Sequence, residues 1–533
     1  MTTAPALPAG AAGEGRQVAA ALALLTGVVL AAFAEAVAGS LLALGRADMM
    51  GDAAATPDEF AWLDIGYTAA KILGFAVAPW LLTRMPPARA VAAATLALGA
   101  ASALAALTPD LALLVPLRAL QGLAGGAVLV SAQALVFLAF PRPSQPLLQA
   151  VFAVGAVVAP ATLAPALQGW IIDGQSWAGV LLAVLPISLA GAGLVLTGDR
   201  ETPSPAGPRP FDWPGFVLLG VAAVAAAYVL SQGSRWDWFE AGRIGVGAVI
   251  AVGAFGAFLL WQRRAGEAAL IQAGPFATEP FPFAFLVSIV AGASLFGSAF
   301  IIPAFAVNVL GFTPLAAGQL LLPGAGPFIA GLLAAAWLTQ RFGVPVLAHV
   351  PVGVLLVLVA LLMLSGASLE SGAADMGLAL SLRALGLGFL FLALTIMAFG
   401  RLQPTHMAFG IAIFDIARQV GGLVGMAALQ TMIERGAAAN RAVLGANLTA
   451  NLGDGRDRLA AVAGALRAEG LDPTAAAAAA EGLLARTVAG QATVIAFDAA
   501  FFALAFLFVF AAPLLLAAKA ALARAAKRRS LPA

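Results

Sequence analysis

Seven ionisable side chains interrupt stretches of this 533-residue chain that are otherwise apolar enough to lie in lipid: Glu35, Asp64, Lys71, Arg118, Arg383, Asp415 and Arg418. At membrane depth a charge is costly unless it faces a protein interior or a watery cavity and finds a partner, so each is a candidate for function. The chemistry open to them is ion pairing and proton exchange. A carboxylate can take up and release a proton while a guanidinium stays charged, so an acid beside an arginine or lysine has two states, paired and protonated. The sharpest case is the run Leu117-Arg118-Ala119-Leu120-Gln121-Gly122-Leu123-Ala124-Gly125-Gly126. At about 100° per residue, Arg118, Gln121, Gly122 and Gly125 fall within about a third of a helix's circumference. That face carries a charge, an amide and two bare backbone patches, which no lipid-facing surface needs.

Other chemistries find little support. The chain has no cysteine, so thiol nucleophiles, disulfides and thiolate metal sites are excluded. His349 and His406 are far apart, and neither has a carboxylate or a second histidine at metal-ligand spacing. No Walker loop and no nucleophile-base pair is evident, which argues against an enzyme, an ATP-driven pump and any bound cofactor. The formal net charge is +2, from basic residues scattered between apolar runs, and nothing suggests a nucleic-acid partner.

The elements that must position the seven charges are membrane helices. Of the residues, 62% are hydrophobic and only 10% charged, against about a quarter charged in a soluble domain. Only helices or closed barrels satisfy their backbones in lipid, and apolar runs of about 18 to 28 residues are helix-sized. Fourteen spans are expected, with cores at 18–44, 61–82, 90–108, 111–139, 147–172, 178–197, 214–231, 243–261, 282–310, 315–338, 344–364, 376–400, 407–433 and 491–518. An even number puts both termini on one side. Alternate connections carry Arg16, Arg84 and Arg89, Arg142, Arg200 and Arg209, Arg263 and Arg264, Arg341, Arg401 and a basic tail, and the others mainly aspartate and glutamate. Positive residues stay inside, so both termini are expected in the cytoplasm.

Internal repetition sets the organisation. Leu117-Arg118-Ala119-Leu120 in the fourth run recurs as Leu382-Arg383-Ala384-Leu385 in the twelfth, and Thr83-Arg84-Met85-Pro86 after the second is echoed by Gln340-Arg341-Phe342-Gly343 after the tenth. Both matches are in register if the seventh and eighth runs are an insertion. The expected division is a cytoplasmic tail at 1–17, a six-helix bundle at 18–197, and a proline-rich cytoplasmic linker at 198–213. Two inserted spans at 214–261 and a connection at 262–281 follow. A second six-helix bundle at 282–518 contains an outer loop at 434–490, and a basic tail occupies 519–533. In the outer loop, Leu459, Val462 and Leu466 share one face, and Asp472-Pro473 reads as an N-cap followed by proline. Two short surface helices are expected there, as a cap over the spans or a docking site for a partner.

At this point the chain resembles the major facilitator superfamily, and within it the fourteen-span drug:proton antiporters of the EmrB/QacA type. Arg118 with Gln121-Gly122 is similar to that family's fourth-span motif. Pro165-Ala-Leu-Gln-Gly169-Trp-Ile-Ile-Asp173 resembles the end of its fifth-span antiporter motif, and Asp415-Ile-Ala-Arg418-Gln-Val-Gly421-Gly422 its thirteenth-span pattern. Trp62 and Tyr67 also match. The departures are informative too. Pro79, Thr83 and Arg84 replace the usual glycine, acid and basic cluster of the loop after the second span, which puts that loop's latching of the two halves in doubt. The first-span aspartate is absent, and Glu35 is its nearest equivalent.

The resemblance implies a two-bundle all-α fold and proton-coupled export across the cell (inner) membrane, with the proton gradient as energy source. Depth supports this independently. Counted at ~1.5 Å per residue, Glu35 lies about 14 Å, Lys71 about 15 Å, and Arg118 and Arg383 about 10 Å below the outer surface. From position alone, Glu35 and Arg118 could form a static ion pair or a proton-coupling pair; the resemblance implies coupling. Tyr67, Lys71, Gln121, Arg383, Asp415 and Arg418 are candidates for the substrate cavity. Gly122, Gly125, Gly126, Gly169, Gly421 and Gly422 are expected to let helices approach closely, and Pro160 and Pro165 to kink or flex the fifth span. Arg84 and Arg341 mark the cytoplasmic loop motif. The expected substrates are hydrophobic or amphiphilic small molecules, with the lipid bilayer and protons as the other partners, and relatives of this kind include some that work with an outer adaptor, for which 434–490 is the place. The alternatives are a same-fold transporter that exports or takes up a specific metabolite, for which the cations in the spans would suit an anion, and a non-transporting membrane sensor or scaffold.

Overall fold

The structure, a computed structural model, describes residues 9–199, 202–450 and 452–529. Arg200, one of the basic residues counted above, lies outside the described residues, as do the tail residues 1–8 and 530–533. Among the described residues the only regular elements are helices. Fourteen are long and apolar enough to cross a membrane: Gly15–Ala43, Pro57–Arg84, Pro87–Ala105, Leu111–Ala139, Arg142–Gly174, Trp177–Gly198, Trp213–Gln232, Gly242–Ala268, Pro280–Asn308, Pro314–Phe342, Val346–Leu364, Ala373–Phe399, Pro404–Ala446 and Pro473–Ala511. They are called spans 1 to 14 in this order. Large apolar side chains such as Val249 and Val252 stand about three-quarters exposed on span 8, as a lipid-facing surface requires.

Local chemistry sets where spans begin. Span 2 opens with a reciprocal capping box: Thr56 accepts from the Glu59 amide, and the Glu59 carboxylate accepts from the Thr56 amide at 2.9 Å, with Pro57 at the first helical position. Asp110 caps span 4 and Thr313 caps span 10 in the same manner, each accepting from an amide two or three residues on. Gly343, at φ +64°, closes span 10 in the left-handed conformation that favours glycine.

The packing repeats with a shift of eight spans. Span 4 lies against spans 2 and 3, as span 12 lies against spans 10 and 11; span 6 packs on spans 1 and 3, as span 14 packs on spans 9 and 11. The halves meet where span 5 touches span 10 and where span 2 touches span 13. Glycines make the closest of these approaches. Gly122 and Gly126 of span 4 rest on the Tyr67 and Lys71 carbonyls of span 2, and Gly421 of span 13 rests on the Ile289 carbonyl of span 9. Gly422 accommodates the Phe296 ring, and Gly169 of span 5 lies on Pro314 of span 10. A Cβ at any of them would collide with its neighbour, which is why small residues set helix separation here.

Spans 7 and 8 pair with each other, and span 7 covers the seam between the halves. Its Leu219 and Ala223 cluster with Ala69, Ile72 and Ala76 of span 2 and with Leu423 of span 13.

Three features differ from the sequence expectation. Pro160 does not break span 5; instead Val154–Leu163 is wound as a π-helix, and the Ala164 amide reaches back to the Ala159 carbonyl. A proline removes one donor and crowds the carbonyl four residues earlier, and the wider π turn relieves both. Second, the stretch 434–490 is not a loop bearing two small surface helices. Pro404–Ala450 and Pro473–Arg529 are single helices that run out of spans 13 and 14, with Leu452–Ala468 packed between them as a third. Its alanine-rich sequence has high helix propensity, so the helices run on past their apolar stretches rather than end with them. Asn440 donates to the Ala492 carbonyl at 3.4 Å and ties the two extensions together. Third, the first helix starts at Ala9, inside the stretch read as a tail. The face bearing this projection is called the hairpin face, and the opposite one, where the described helices begin at Ala9 and end at Arg529, the terminal face.

Candidate transport site

Span 2 turns two side chains, four residues apart, toward span 1. The Tyr67 hydroxyl donates to Glu35 Oε1 at 2.7 Å, and Lys71 Nζ lies 2.5 Å from the same oxygen. Glu35 is only 3% exposed. The i, i+4 spacing puts both donors on one helix face, so a single carboxylate oxygen can satisfy both.

Arg118 lies on the other side of Tyr67 and is completely buried. Its Nη1 donates to the Ala38 carbonyl at 2.8 Å and to Gln121 Oε1 at 2.7 Å, while its guanidinium carbon sits 4.4 Å from the centre of the Tyr67 ring. The direct Glu35–Arg118 pair expected from their depth is therefore not the contact formed. Lys71 takes the carboxylate, Tyr67 stands between the two charges, and Arg118 holds the turn that follows Glu35 by a backbone carbonyl. Arg118 still lies within electrostatic reach of Glu35, and of Asp64, whose side chain is exposed. Two nitrogens of Arg118 and the Gln121 amide nitrogen are buried without a partner among the described residues.

The second half carries a related but poorer arrangement. Arg383, 4% exposed, donates through Nη2 to Ser298 Oγ of span 9 at 2.7 Å. Asp415 and Arg418 of span 13 pair with each other at 2.8 Å, one turn apart. Asp415 also lies within electrostatic reach of Lys71 and Glu35, so charges of the two halves meet across the contact of spans 2 and 13. The site is thus a chain of buried charges reaching from span 1, through span 2, to span 13.

Residues 24–426 match the sequence profile described as Major Facilitator Superfamily. The chain belongs to this superfamily. Its fourteen spans and transporter relatives make it a multi-pass membrane transporter and not an enzyme, in keeping with the EmrB/QacA-type branch that its motifs resemble. It is 27% identical over 416 residues to the tetracenomycin C resistance and export protein of Streptomyces glaucescens, covering 77% of this chain and 75% of that one. It is 25% identical over 412 residues to the multidrug export protein EmrB of Haemophilus influenzae, covering 76% and 79%. The crystal structure of the human organic anion transporter MFSD10 (TETRAN) has the same fold, with a TM-score of 0.52 at 14% identity over 92% of this chain and 99% of that one.

Within this superfamily fold the remaining candidates fall as follows. Gly125 abuts the Glu35 side chain, where a Cβ would lie 2.8 Å from its Cγ. Pro165 of span 5 contacts Gly318 of span 10 through its carbonyl. Trp62 stacks on Tyr228 of span 7 at 5.7 Å and faces away from the charges, and Phe414 packs edge-on to Phe399 near the terminal face. Arg341 is exposed beside Phe342.

Arg84 takes a part that its spacing did not reveal. With Trp80 it donates to the Arg209 carbonyl of the linker, at 2.7 Å from Nη2 and 3.1 Å from the indole, while the Arg209 guanidinium lies 5.7 Å from the Phe409 ring of span 13. The linker therefore joins the halves at the place where the usual loop motif is missing. Next to it Asp212 accepts from Gly215, Trp261, Gln262 and Leu270, all at 2.8 to 3.0 Å. Burial raises the proton affinity of this carboxyl, but the four donors outweigh it and hold its pKa below the ordinary aspartate value. Ser298 and Asp212 escaped the sequence reading because a serine in a span and an aspartate in a linker carry no signal until folding brings their partners to them.

Proposed function

We propose that the chain exports hydrophobic or amphiphilic small molecules in exchange for protons, by alternating access, from the inner membrane of its cell with both termini in the cytoplasm. The observation that carries this reading is the Glu35 carboxylate, buried in a span and held by two donors from a different helix. A proton arriving at Glu35 removes the charge that holds Lys71. Lys71, within electrostatic reach of Asp415 on the other half, is then free of its own partner, so protonation changes the force between spans 2 and 13. Arg118 keeps span 1 in register while this happens, because its hold on Ala38 does not depend on the protonation of Glu35. Proton flow thereby biases the balance between outward- and inward-open forms. Export is the direction named for the Streptomyces and Haemophilus relatives. In this reading the helical projection at 434–490 is the surface available to an outer adaptor.

The test is transport of a lipophilic dye into inverted membrane vesicles under an imposed pH gradient. Wild-type protein is expected to accumulate dye only when the vesicle interior is acidic, and Glu35→Gln to lose that dependence. Gradient-driven accumulation by Glu35→Gln at the wild-type rate would remove Glu35 from the mechanism.

A further inference from the structure

The two halves repeat their geometry but not their charge. Arg118 of span 4 and Arg383 of span 12 stand at matching positions, and each reaches back to the first span of its own half, at Ala38 and at Ser298. Around Arg118 are Tyr67 and the carboxylates of Glu35 and Asp64. Among the described residues neither arginine forms an ion pair and each keeps an unpartnered Nε, but Arg383 has no carboxylate within electrostatic reach, and its one polar contact is the Ser298 hydroxyl. The Asp415 of its own half is taken by Arg418.

The surroundings of Arg383 are incomplete in a specific way. Ser298 donates its proton to the Ser294 carbonyl at 2.7 Å, so its oxygen can only accept from the guanidinium. One turn along the same face, the Ser294 hydroxyl is 2% exposed and has no partner either. A cation and a hydroxyl are left with unused donors, next to Ile301 and Ile302 on span 9 and Leu380 and Leu387 on span 12, all buried. Buried polar groups are ordinarily satisfied, and a buried cation ordinarily has a counter-charge.

We propose that Arg383, with Ser294 and Ser298, is the recognition point for the anionic headgroup of an amphiphilic substrate, whose apolar part lies against the spans of the same half. The planar guanidinium fork suits a carboxylate, sulfonate or phosphate; Ser298, as an acceptor, orients that fork, and the unpartnered Ser294 hydroxyl adds a donor to the same anion. Division of labour follows: the first half handles the proton at Glu35 and the second selects substrate charge at Arg383. The proposal deepens the export reading and rests on it for the identity of the ligand as cargo.

The experiment measures equilibrium binding of radiolabelled laurate and of radiolabelled tetraphenylphosphonium to the purified full chain in lipid nanodiscs, with empty nanodiscs subtracted. Loss of a charge-assisted hydrogen bond is expected to weaken laurate binding by about tenfold or more in R383Q, with tetraphenylphosphonium affinity within about twofold of wild type. R383K is expected to restore most of the laurate affinity, and the double variant S294A/S298A to lower it by about threefold or more. Unchanged laurate binding in R383Q, equal loss of both probes in R383Q and S294A/S298A, or a wild type that binds the cation but not laurate would overturn the proposal. If R383Q does not purify as a single species, S294A/S298A decides by the same criterion. Gradient-driven uptake by inverted vesicles separates the two readings. Transport of the cation without Arg383-dependent laurate binding removes only the anion site, whereas Arg383-dependent laurate binding without transport of either probe removes only the export reading.

Discussion

Tyr67 serves the site in two separable ways, as a hydrogen-bond donor to Glu35 and as an aromatic face under Arg118. Tyr67→Phe removes the first and keeps the second. It is expected to move the pH dependence of gradient-driven transport, measured across pH 5 to 9 as about one pH unit, with little loss of folded protein. Tyr67→Leu removes both and is expected to lower yield as well, since the ring is what separates Arg118 from the carboxylate. Asp212 gives a prediction of stability. Its pKa is lower in the folded chain than in the unfolded one, so its contribution is full above the ordinary aspartate value and disappears as pH falls through the folded value. Asp212→Asn is therefore expected to cost about 1–3 kcal/mol at neutral pH, typical of hydrogen bonds to a charged group. The gap to wild type should close below pH ~4, as read by thermal unfolding in detergent at several pH values. A gap that widened on acidification would contradict the assigned hydrogen-bond set.

At the scale of elements, the spans are held apart by backbone more than by side chains. Gly122 and Gly126 let span 4 touch the Tyr67 and Lys71 carbonyls of span 2, so these glycines also set where Lys71 meets Glu35. Gly122→Val is expected to destabilise by about 1–3 kcal/mol through overpacking and to impair transport with it. Gly253→Ala, on a face of span 8 with open space around it, is expected to be neutral. Thermal unfolding of the two variants distinguishes a close-packing role from a general sensitivity to glycine replacement. The π segment Val154–Leu163 belongs to this scale too, because it lets Pro160 sit inside span 5 without a sharp break. Spans 1 and 10 both pack on it, so a change in its winding would be felt in both halves.

The whole molecule is closed by contacts near both faces. Toward the terminal face Phe137 of span 4 packs on Phe399 of span 12 at 5.8 Å, and Gln340 donates to the Pro143 carbonyl at 3.1 Å. Toward the hairpin face Gly169 meets Pro314 and Leu315, and Gly318 meets Pro165. Alternating access requires these two sets to open in turn. The chain has no cysteine, so an introduced pair supplies its only thiols. Joining Pro143→Cys of span 5 to Gln340→Cys of span 10 with a short reducible bifunctional cross-linker is expected to reduce transport by about tenfold or more, by fixing one state, and a reductant to restore it. Cross-linked protein that still transports at the uncross-linked rate would show that the contact of spans 5 and 10 does not open.

Fourteen spans, the repeat of Arg118 in Arg383 and the identity of the charged residues within the spans were legible in the sequence, because lipid forces helices and because a charge inside an apolar run stands out by type alone. The boundaries of span 4 coincide with the expectation at both ends, 111 and 139. The stretch 434–490 misled because polarity marks the end of the membrane but not the end of a helix. Which charges touch was beyond the sequence as well. Depth put Glu35 level with Arg118, yet contact depends on rotation about each helix axis, and the glycine contacts of spans 2 and 4 turn Tyr67 and Lys71 toward the carboxylate instead. The same packing joined the linker carbonyl of Arg209 to Arg84 and left Arg383 with a serine where Arg118 has neighbouring acids. Sequence alone determined which residues are charged and in which span each stands; tertiary structure decided their partners, since pairing is fixed by the angles and separations at which helices pack.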